Sequence, residues 1–390
     1  MHILVAFDKL KDSLTAPEAC TITAEALRAR HADWTFDICP LTDGGEGFGD
    51  ILTHAAGGTL ETHRVTGPLG APLEARIGFV SLAAIAPAAR ALLALPEQPS
   101  GNCIAVVEMA AASGLALVPT ARRDPWRTTS FGTGELMQLA AQRGVAAILL
   151  GVGGSATHDL GLGALNALGF EFPTTDQRSI SPPIPAGWSA ISRVEGGISP
   201  GFPPIRIACD VTNPLVGPRG AAATYGPQKG LQPEDLARLD GESGRLARLL
   251  CARCGQPESV METAGAGAAG GIAFGLMAAA GARLLSGFDL VSAWLDVDAR
   301  LARADLVITG EGRFDASSFN GKGPGAIAAR AIALGKSTHV FAGSLGHGLS
   351  SSSDEKKNLT LHAISPPHLE LADALRAAPA NLAAAVRAAF

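Results

Sequence analysis

The chain has 390 residues, of which 47% are hydrophobic and 17% charged, so it can bury a large core and is not intrinsically disordered. This length corresponds to about two to three domains. A net charge of −5, without a basic block and with 5% aromatic residues, argues against nucleic acid as a partner.

The first sixty residues predict two strand–helix units. Residues 2–7 form an apolar run typical of a buried strand, and Thr15-Ala-Pro-Glu18 predicts a capping box that begins a helix ending near Arg30. Residues 34–40 then predict a strand and residues 46–56 a helix. Because the first residues lack a basic region and a long apolar core, we expect no signal peptide and a cytoplasmic protein.

The last hundred residues repeat this alternation. Strands are expected at 305–309, 338–342 and 359–364, with helices at 324–334 and from about residue 369. Five strands that alternate with helices predict an α/β fold in which both chain ends build a parallel, flavodoxin-like sheet.

The middle of the chain predicts a second α/β domain inserted into the first. We expect strands at 75–82, 103–109 and 146–150, a helix at 133–143, a surface insertion at 82–101 and an irregular connection at 173–204. The uncharged segment 263–282 has the length of a membrane span, but its glycines favour a buried loop and helix, so no membrane partner is expected. The predicted domains are 1–62 with 299–390, and 63–298, with the active site in the cleft between them.

Acidic side chains lie in or directly after several apolar runs. They are Asp8, Asp43, Glu108, Asp159, Asp210, Glu311 and Asp315. Helix capping or turn formation is an alternative role for Asp43 and Asp159, but capping does not explain carboxylates at so many strand ends. In open α/β sheets these ends converge on the ligand crevice.

Lysines and glycine-rich turns accompany these acids. Only seven lysines occur in the chain, and four of them, Lys9, Lys11, Lys229 and Lys322, lie in such loops. Surface solvation is the alternative role, above all for Lys9. Carboxylates for Mg²⁺, lysines for phosphate charge and glycines for close backbone approach together indicate phosphoryl transfer.

Four other functions have weaker support. Gly151-x-Gly153-x-x-Ala156 follows a strand and fits a relaxed dinucleotide pattern, which would suit a nicotinamide-dependent dehydrogenase. A two-domain small-molecule binding protein without catalysis is a further alternative. Cys251-x-x-Cys254 lacks the second pair that a structural zinc site needs, and Ser155 with His158 does not make a catalytic triad.

The motifs together resemble the bacterial type I glycerate kinases over nearly the whole chain. Among them are Asp43-Gly-Gly-Glu-Gly47, Gly151-Val-Gly-Gly-Ser-Ala-Thr157 and Ile308-Thr-Gly-Glu-Gly-Arg-Phe-Asp315. Further matching stretches are residues 8–14, 65–70, 107–115, 128–136, 208–215, 225–230 and 265–271. The resemblance implies ATP-dependent phosphorylation of D-glycerate, usually at the 2-hydroxyl, with Mg²⁺. The chain departs from the family pattern at Lys9-Leu10, at Leu160 and in the longer 82–101 insertion.

With this resemblance, each candidate residue receives an expected role. The catalytic candidates are Asp43 or Asp159 as the base, and Lys11. The candidates for substrate binding are Asp8, Ser13, Lys229 and Arg313. The candidates for ATP binding are Gly151, Gly153, Gly154, Ser155, Gly310, Gly312 and Lys322. The expected Mg²⁺ ligands are Asp210, Glu311 and Asp315. The partner is a small molecule, and the protein is expected to be a monomer or a homodimer.

Overall fold

The structure is a computed structural model that describes residues 1–319, 323–346, 358–366 and 369–390. Its strands are β1 (His2–Phe7), β2 (Thr35–Ile38), β3 (Thr59–Thr66), β4 (Pro72–Ser81), β5 (Cys103–Glu108), β6 (Ala147–Gly151), β7 (Phe170–Glu171), β8 (Glu195–Gly196), β9 (Ile205–Ala208), β10 (Arg283–Leu285), β11 (Leu306–Phe314), β12 (Ser337–Leu345) and β13 (Leu359–Ala363). Its helices are α1 (Ala16–Arg28), α2 (Phe48–Ala55), α3 (Pro87–Leu93), α4 (Met109–Ser113), α5 (Phe131–Gln142), α6 (Leu162–Ala167), α7 (Ala221–Tyr225), α8 (Leu236–Cys254), α9 (Ala268–Ala280), α10 (Gly287–Trp294), α11 (Val297–Arg303), α12 (Gly323–Ala333) and α13 (Leu371–Ala389).

The residues group into two compact units. Unit 1 contains Met1–Asp43 and Val291–Phe390, and unit 2 contains Gly44–Leu290. The boundaries expected from the sequence lay at 62/63 and 298/299. A boundary after residue 62 would divide β3, which pairs along its whole length with β4, so α2 and β3 belong with unit 2.

Unit 1 is built on a five-stranded parallel sheet with the order β13-β12-β11-β1-β2. If the five strands are numbered along the chain within this unit and the sheet is read from β2 to β13, the order is 2-1-3-4-5, which is the flavodoxin-like order. Side chains alternate across β12: Phe341 packs with the core formed by α1 and α13, whereas Val340 and Ala342 pack with α12. The predicted doubly wound α/β fold is confirmed.

The first strand–helix connection is stabilised by the predicted capping box. The Thr15 hydroxyl accepts from the backbone N–H of Glu18, and the Glu18 carboxylate accepts from the backbone N–H of Thr15 at 2.8 Å. These two bonds satisfy donors that the first turn of α1 leaves open. Residues 8–14 are therefore held as a loop at the carboxyl end of β1.

Unit 2 is built on a six-stranded mixed sheet with the order β10-β9-β6-β5-β4-β3. The four strands β10, β9, β6 and β5 are parallel, and β4 is antiparallel to both of its neighbours. The carboxyl ends of the parallel strands thus share one edge, which carries Glu108, the loop after Gly151 and the loop after Ala208.

The segment 82–101 contains a short 3-10 turn and α3. This segment is hydrogen-bonded to Arg206 of β9, whose guanidinium donates to the carbonyls of Leu93 at 2.5 Å and Ala94 at 2.8 Å. A buried arginine therefore satisfies the open carbonyls at the end of α3.

The glycine-rich segment expected to be a buried helix is α9, most of whose residues are buried. Among the described residues, no helix combines the length and apolar character needed to cross a membrane.

Candidate active site

Three of the predicted acids meet at the carboxyl edge of the unit 1 sheet. Phe7 of β1 pairs with Gly310 of β11, and the Asp8 N–H donates to the Gly310 carbonyl at 3.0 Å, so Asp8 lies beside Glu311. The chain leaving β2 runs along β1, since the Leu41 N–H donates to the Phe7 carbonyl at 2.7 Å, and this leads to Asp43.

The negative charge of Asp43 raises the pKa of both Asp8 and Glu311. Burial and the Asp43 charge raise the pKa of Asp8 from 3.8 to about 7, although the N–H and charge of Lys9 partly oppose this. Burial also raises the pKa of Glu311, with smaller contributions from Asp315 and Asp43. Glu311 Oε1 is buried and has no hydrogen-bond partner within residues 1–319, 323–346, 358–366 and 369–390. The cluster is therefore suited to take up a proton or a cation.

Other predicted residues of unit 1 make local contacts. The pKa of Asp315 is lowered chiefly because its carboxylate accepts from the Ser317 hydroxyl and backbone N–H. The exposed Arg313 pairs with Asp315 at 3.4 Å, and the Ser13 hydroxyl donates to the Leu10 carbonyl at 2.9 Å. Asp315 therefore stays ionised. The Ser13 hydroxyl stabilises the turn in which Ser13 itself lies.

The two predicted glycines of β11 have different surroundings. A Cβ on Gly310 would lie 1.9 Å from the Phe341 carbonyl oxygen, so strand packing requires this glycine, and its contact with a phosphate stays a prediction. Gly312 is only half-buried, and a Cβ there would lie 3.2 Å from the backbone nitrogen of Lys11, whose side chain is exposed. Lys322 lies outside the described residues.

In unit 2, the glycines at and after the end of β6 pack against the loop that precedes α2. A Cβ on Gly151 would lie 2.6 Å from the Gly44 carbonyl oxygen, and one on Gly153 would lie 2.6 Å from the Gly45 Cα. The Gly153 N–H already donates to the Gly44 carbonyl at 2.9 Å. These contacts explain Gly151 and Gly153 by loop packing, and phosphate binding by these two glycines stays a prediction. Gly154 is exposed and has a left-handed φ of +71°.

Asp159 is a fully buried capping residue and not an accessible base. Its carboxylate accepts four hydrogen bonds, from the Ser130 N–H at 2.6 Å, the Ser130 hydroxyl at 2.8 Å, the Gly161 N–H at 3.2 Å and the Gly163 N–H at 3.3 Å. Burial raises the pKa of Asp159, and these four donors oppose the rise. Its oxygens are used in holding the start of α6, so the structure gives no support to its expected role as base, which stays a prediction.

Lys229 is also buried, with 2% of its surface exposed. Its ammonium donates to Ser155 Oγ at 2.8 Å and to the Thr157 carbonyl at 2.6 Å. Burial lowers the pKa of Lys229 to about 7, and the charge of Asp159 partly offsets this. Lys229 therefore lies beneath the glycine loop, and the expected direct contact of Lys229 with substrate stays a prediction.

The neighbouring His158 is neutral. Its Nε2 lies 3.0 Å from Ser243 Oγ, which itself donates to the Leu239 carbonyl at 2.7 Å, so Nε2 carries the imidazole proton. Burial and the charge of Lys229 lower the pKa of His158 to about 3. A nucleophilic role with Ser155 is thereby disfavoured.

Asp210 also has a structural role. Its carboxylate accepts from the Gly287 N–H at 3.0 Å, the Phe288 N–H at 2.9 Å and the Ser286 hydroxyl at 3.3 Å, and so it caps the start of α10. The role of Asp210 as a metal ligand stays a prediction. Within the described ranges, no three His, Cys, Asp or Glu side chains form a metal-binding group. Mg²⁺ often takes only one or two carboxylates together with phosphate oxygens, so this does not conflict with a nucleotide-bound ion.

Two residues of this edge received no role from the sequence. Ser130 supplies two of the four donors to Asp159; it directly precedes α5, but its side chain does not cap that helix, so the local sequence gave no signal for this contact. Glu108 stood out as a buried acid, and the structure shows that it accepts from the Gly49 N–H at 3.1 Å.

Comparison with known proteins identifies the family. A model of the glycerate kinase family matches residues 3–390. The chain belongs to the glycerate kinase family. Glycerate kinase of Haemophilus influenzae is 38% identical over 352 residues, which are 88% of this chain and 86% of that protein. Glycerate 2-kinase of Escherichia coli is 37% identical with the same coverage.

A solved structure agrees. The crystal structure of a protein from Salmonella typhimurium LT2 described as a glycerate kinase 2 is 36% identical, with a TM-score of 0.74, and the match covers 100% of this chain and 97% of that one. The chain is therefore an enzyme, a phosphotransferase with an alcohol group as acceptor. Such an enzyme must take a proton from the hydroxyl and neutralise phosphate charge.

Proposed function

We propose that this glycerate kinase transfers the γ-phosphoryl group of ATP to the 2-hydroxyl of D-glycerate, giving 2-phosphoglycerate. Support for the position comes from the relative in Escherichia coli, which is named glycerate 2-kinase. We place the reaction in the cytoplasm, where ATP is available, and expect a monomer or a homodimer.

The observation that carries the proposal is the acid cluster of unit 1. Asp8 has a pKa near 7 because its carboxyl is half-buried beside Asp43, and a base is most effective when its pKa lies near the working pH. We assign the base role to Asp8, where the sequence favoured Asp43 or Asp159. Asp8 accepts the hydroxyl proton on a carboxylate oxygen, and Asp43 keeps its proton affinity high.

The same cluster fits a divalent cation. Glu311 has a buried oxygen without a partner among the described residues, and Asp315 stays ionised. Hard carboxylate oxygens suit Mg²⁺, so Glu311 and Asp315 would hold it. The bound ion would supply positive charge to the transferring phosphoryl group.

The decisive experiment combines product analysis with omission controls. Purified protein is incubated with ATP, Mg²⁺ and D-glycerate, ADP is measured, and ³¹P NMR distinguishes 2-phosphoglycerate from 3-phosphoglycerate. We expect ADP only with D-glycerate present, loss of activity in EDTA, and its return with excess Mg²⁺. The 3-phosphate as sole product would contradict the assigned position, and ADP formation independent of glycerate would contradict the proposed activity.

A further inference from the structure

The Lys229 contact determines the direction of the hydrogen bond at Ser155. A protonated lysine has three donors and no acceptor. In the 2.8 Å contact between Lys229 Nζ and Ser155 Oγ, the serine oxygen must therefore accept. The serine hydrogen is then free to point elsewhere.

The Ser155 hydrogen has no acceptor within the described part of the protein. Ser155 is 7% exposed, and it follows the half-buried Gly153 and the exposed Gly154. The hydroxyl thus lies just below the backbone of two glycines, over which a ligand oxygen can approach closely. The Ala110 and Glu46 side chains flank this backbone, 3.4 Å and 3.6 Å from where a Cβ on Gly154 would lie.

The backbone around this hydroxyl is held from several sides. The Gly153 N–H donates to the Gly44 carbonyl, the Ala156 N–H donates to the Ser113 carbonyl at 2.9 Å, and the Gly154 carbonyl accepts from the Leu115 N–H at 2.7 Å. A donor in such a fixed loop needs little reorganisation when an anion binds.

We propose that Ser155 and Lys229 form an oxyanion-binding pair in unit 2, in which the Ser155 hydroxyl contacts a phosphate or carboxylate oxygen. Lys229 is the positioning residue: from below the loop it holds the hydroxyl as a donor and supplies positive charge. This pair deepens the proposed function, on which it rests for its ligands. The oxyanion is either a phosphate of the nucleotide or the carboxylate of glycerate, and both are electrostatically suited to a donor backed by a cation.

The test measures binding without turnover. Isothermal titration calorimetry at pH 6, where Lys229 is mainly protonated, gives Kd for ATP and for D-glycerate separately. We expect Ser155→Ala to weaken one of the two ligands at least about tenfold, as for a lost charge-assisted hydrogen bond, and to leave the other unchanged. Lys229→Met should weaken the same ligand, and Ser155→Thr, which keeps a hydroxyl, should restore most of its affinity.

Matched controls separate this role from a structural one. Ser292 is also 7% exposed, and its hydroxyl accepts from Arg330 Nη1 at 2.8 Å, so Ser292→Ala removes a similar contact elsewhere. Lys336, which donates to the Ala302 carbonyl at 3.1 Å, provides Lys336→Met. Both controls should bind ATP and D-glycerate as the wild type does. Thermal melts by circular dichroism verify folding, and if Lys229→Met does not fold, the Ser155 variants decide.

Wild-type affinity of folded Ser155→Ala for both ligands would overturn the pair. So would a result in which Ser155→Ala and Lys229→Met weaken different ligands. If the wild type binds ATP or D-glycerate through Ser155 but forms no ADP, the pair stands and the proposed function fails. The two failures are therefore distinguishable.

Discussion

Asp8→Asn should make the protein more stable and less active. The pKa of Asp8 rises from 3.8 to about 7, which means that the folded state binds this proton more tightly than the unfolded state. Stability therefore falls as pH increases from about 4 to about 7, and the full cost remains at higher pH. Asparagine has no charge to bury and removes that cost.

The size of the gain follows from the same shift. One pKa unit corresponds to about 1.4 kcal/mol, so the whole shift sets an upper limit of about 4 kcal/mol. Asp8 is partly exposed and shares its charge repulsion with Asp43 and Glu311, so we expect a gain of about 1–2 kcal/mol at pH 8. At pH 5 the Asp8 carboxyl is mostly protonated, and the difference from the wild type should shrink.

Urea unfolding at pH 5 and pH 8 measures the gain. EDTA is present and nucleotide is absent, because a bound cation would change the pKa of Asp8. ADP formation with ATP, Mg²⁺ and D-glycerate should show a kcat lower by about 100-fold to 10,000-fold, as for a lost general base. Wild-type activity should rise as pH increases through about 7.

The control is Asp12→Asn on the same loop. Asp12 is exposed with a φ of +60°, a conformation that asparagine also tolerates, so stability and kcat should stay near wild type. Loss of stability of Asp8→Asn at pH 8, or retention of its kcat, would refute the reasoning.

Three further substitutions test the structure of both units. Asp159→Asn should cost about 3 kcal/mol in urea unfolding because an amide cannot accept all four buried donors; a loss below 1 kcal/mol would contradict the capping role. Gly153→Ala should lower the free energy of unfolding by about 2 kcal/mol or more, since its Cβ would lie 2.6 Å from Gly45. The control Gly241→Ala in α8, whose Cβ would have nothing within 4 Å, should raise that free energy by about 0.5–1 kcal/mol. Equal effects of the two variants would argue against loop packing. Thr15→Ala should cost about 1 kcal/mol by thermal melting and leave kcat unchanged, so a large fall in activity would show that the cap does more than hold α1.

The sequence predicted most of the fold because its signals are local. The capping box at Thr15, the apolar strands and the helices between them depend on neighbouring residues. Because the strands are parallel, their carboxyl ends lie at one edge of the sheet, and this alone places residues such as Asp8 and Glu311 there. The domain boundary was harder to predict from the sequence. The strand β3 and the helix α2 belong with unit 2 because of strand pairing and packing with distant residues, which the local hydrophobic pattern does not contain.

The sequence by itself thus determined the fold class, the family resemblance and the set of acidic and glycine-rich loops. Only the tertiary structure decided what each side chain does. The Asp159 carboxylate is fully hydrogen-bonded because Ser130, 29 residues earlier, donates to it in addition to the nearby Gly161 and Gly163. The Lys229 ammonium is satisfied in the interior because it reaches the Thr157 carbonyl, 72 residues away. Whether a carboxylate or an ammonium is a reactive group or a structural one depends on which distant partners have already satisfied it and on how much water is left around it.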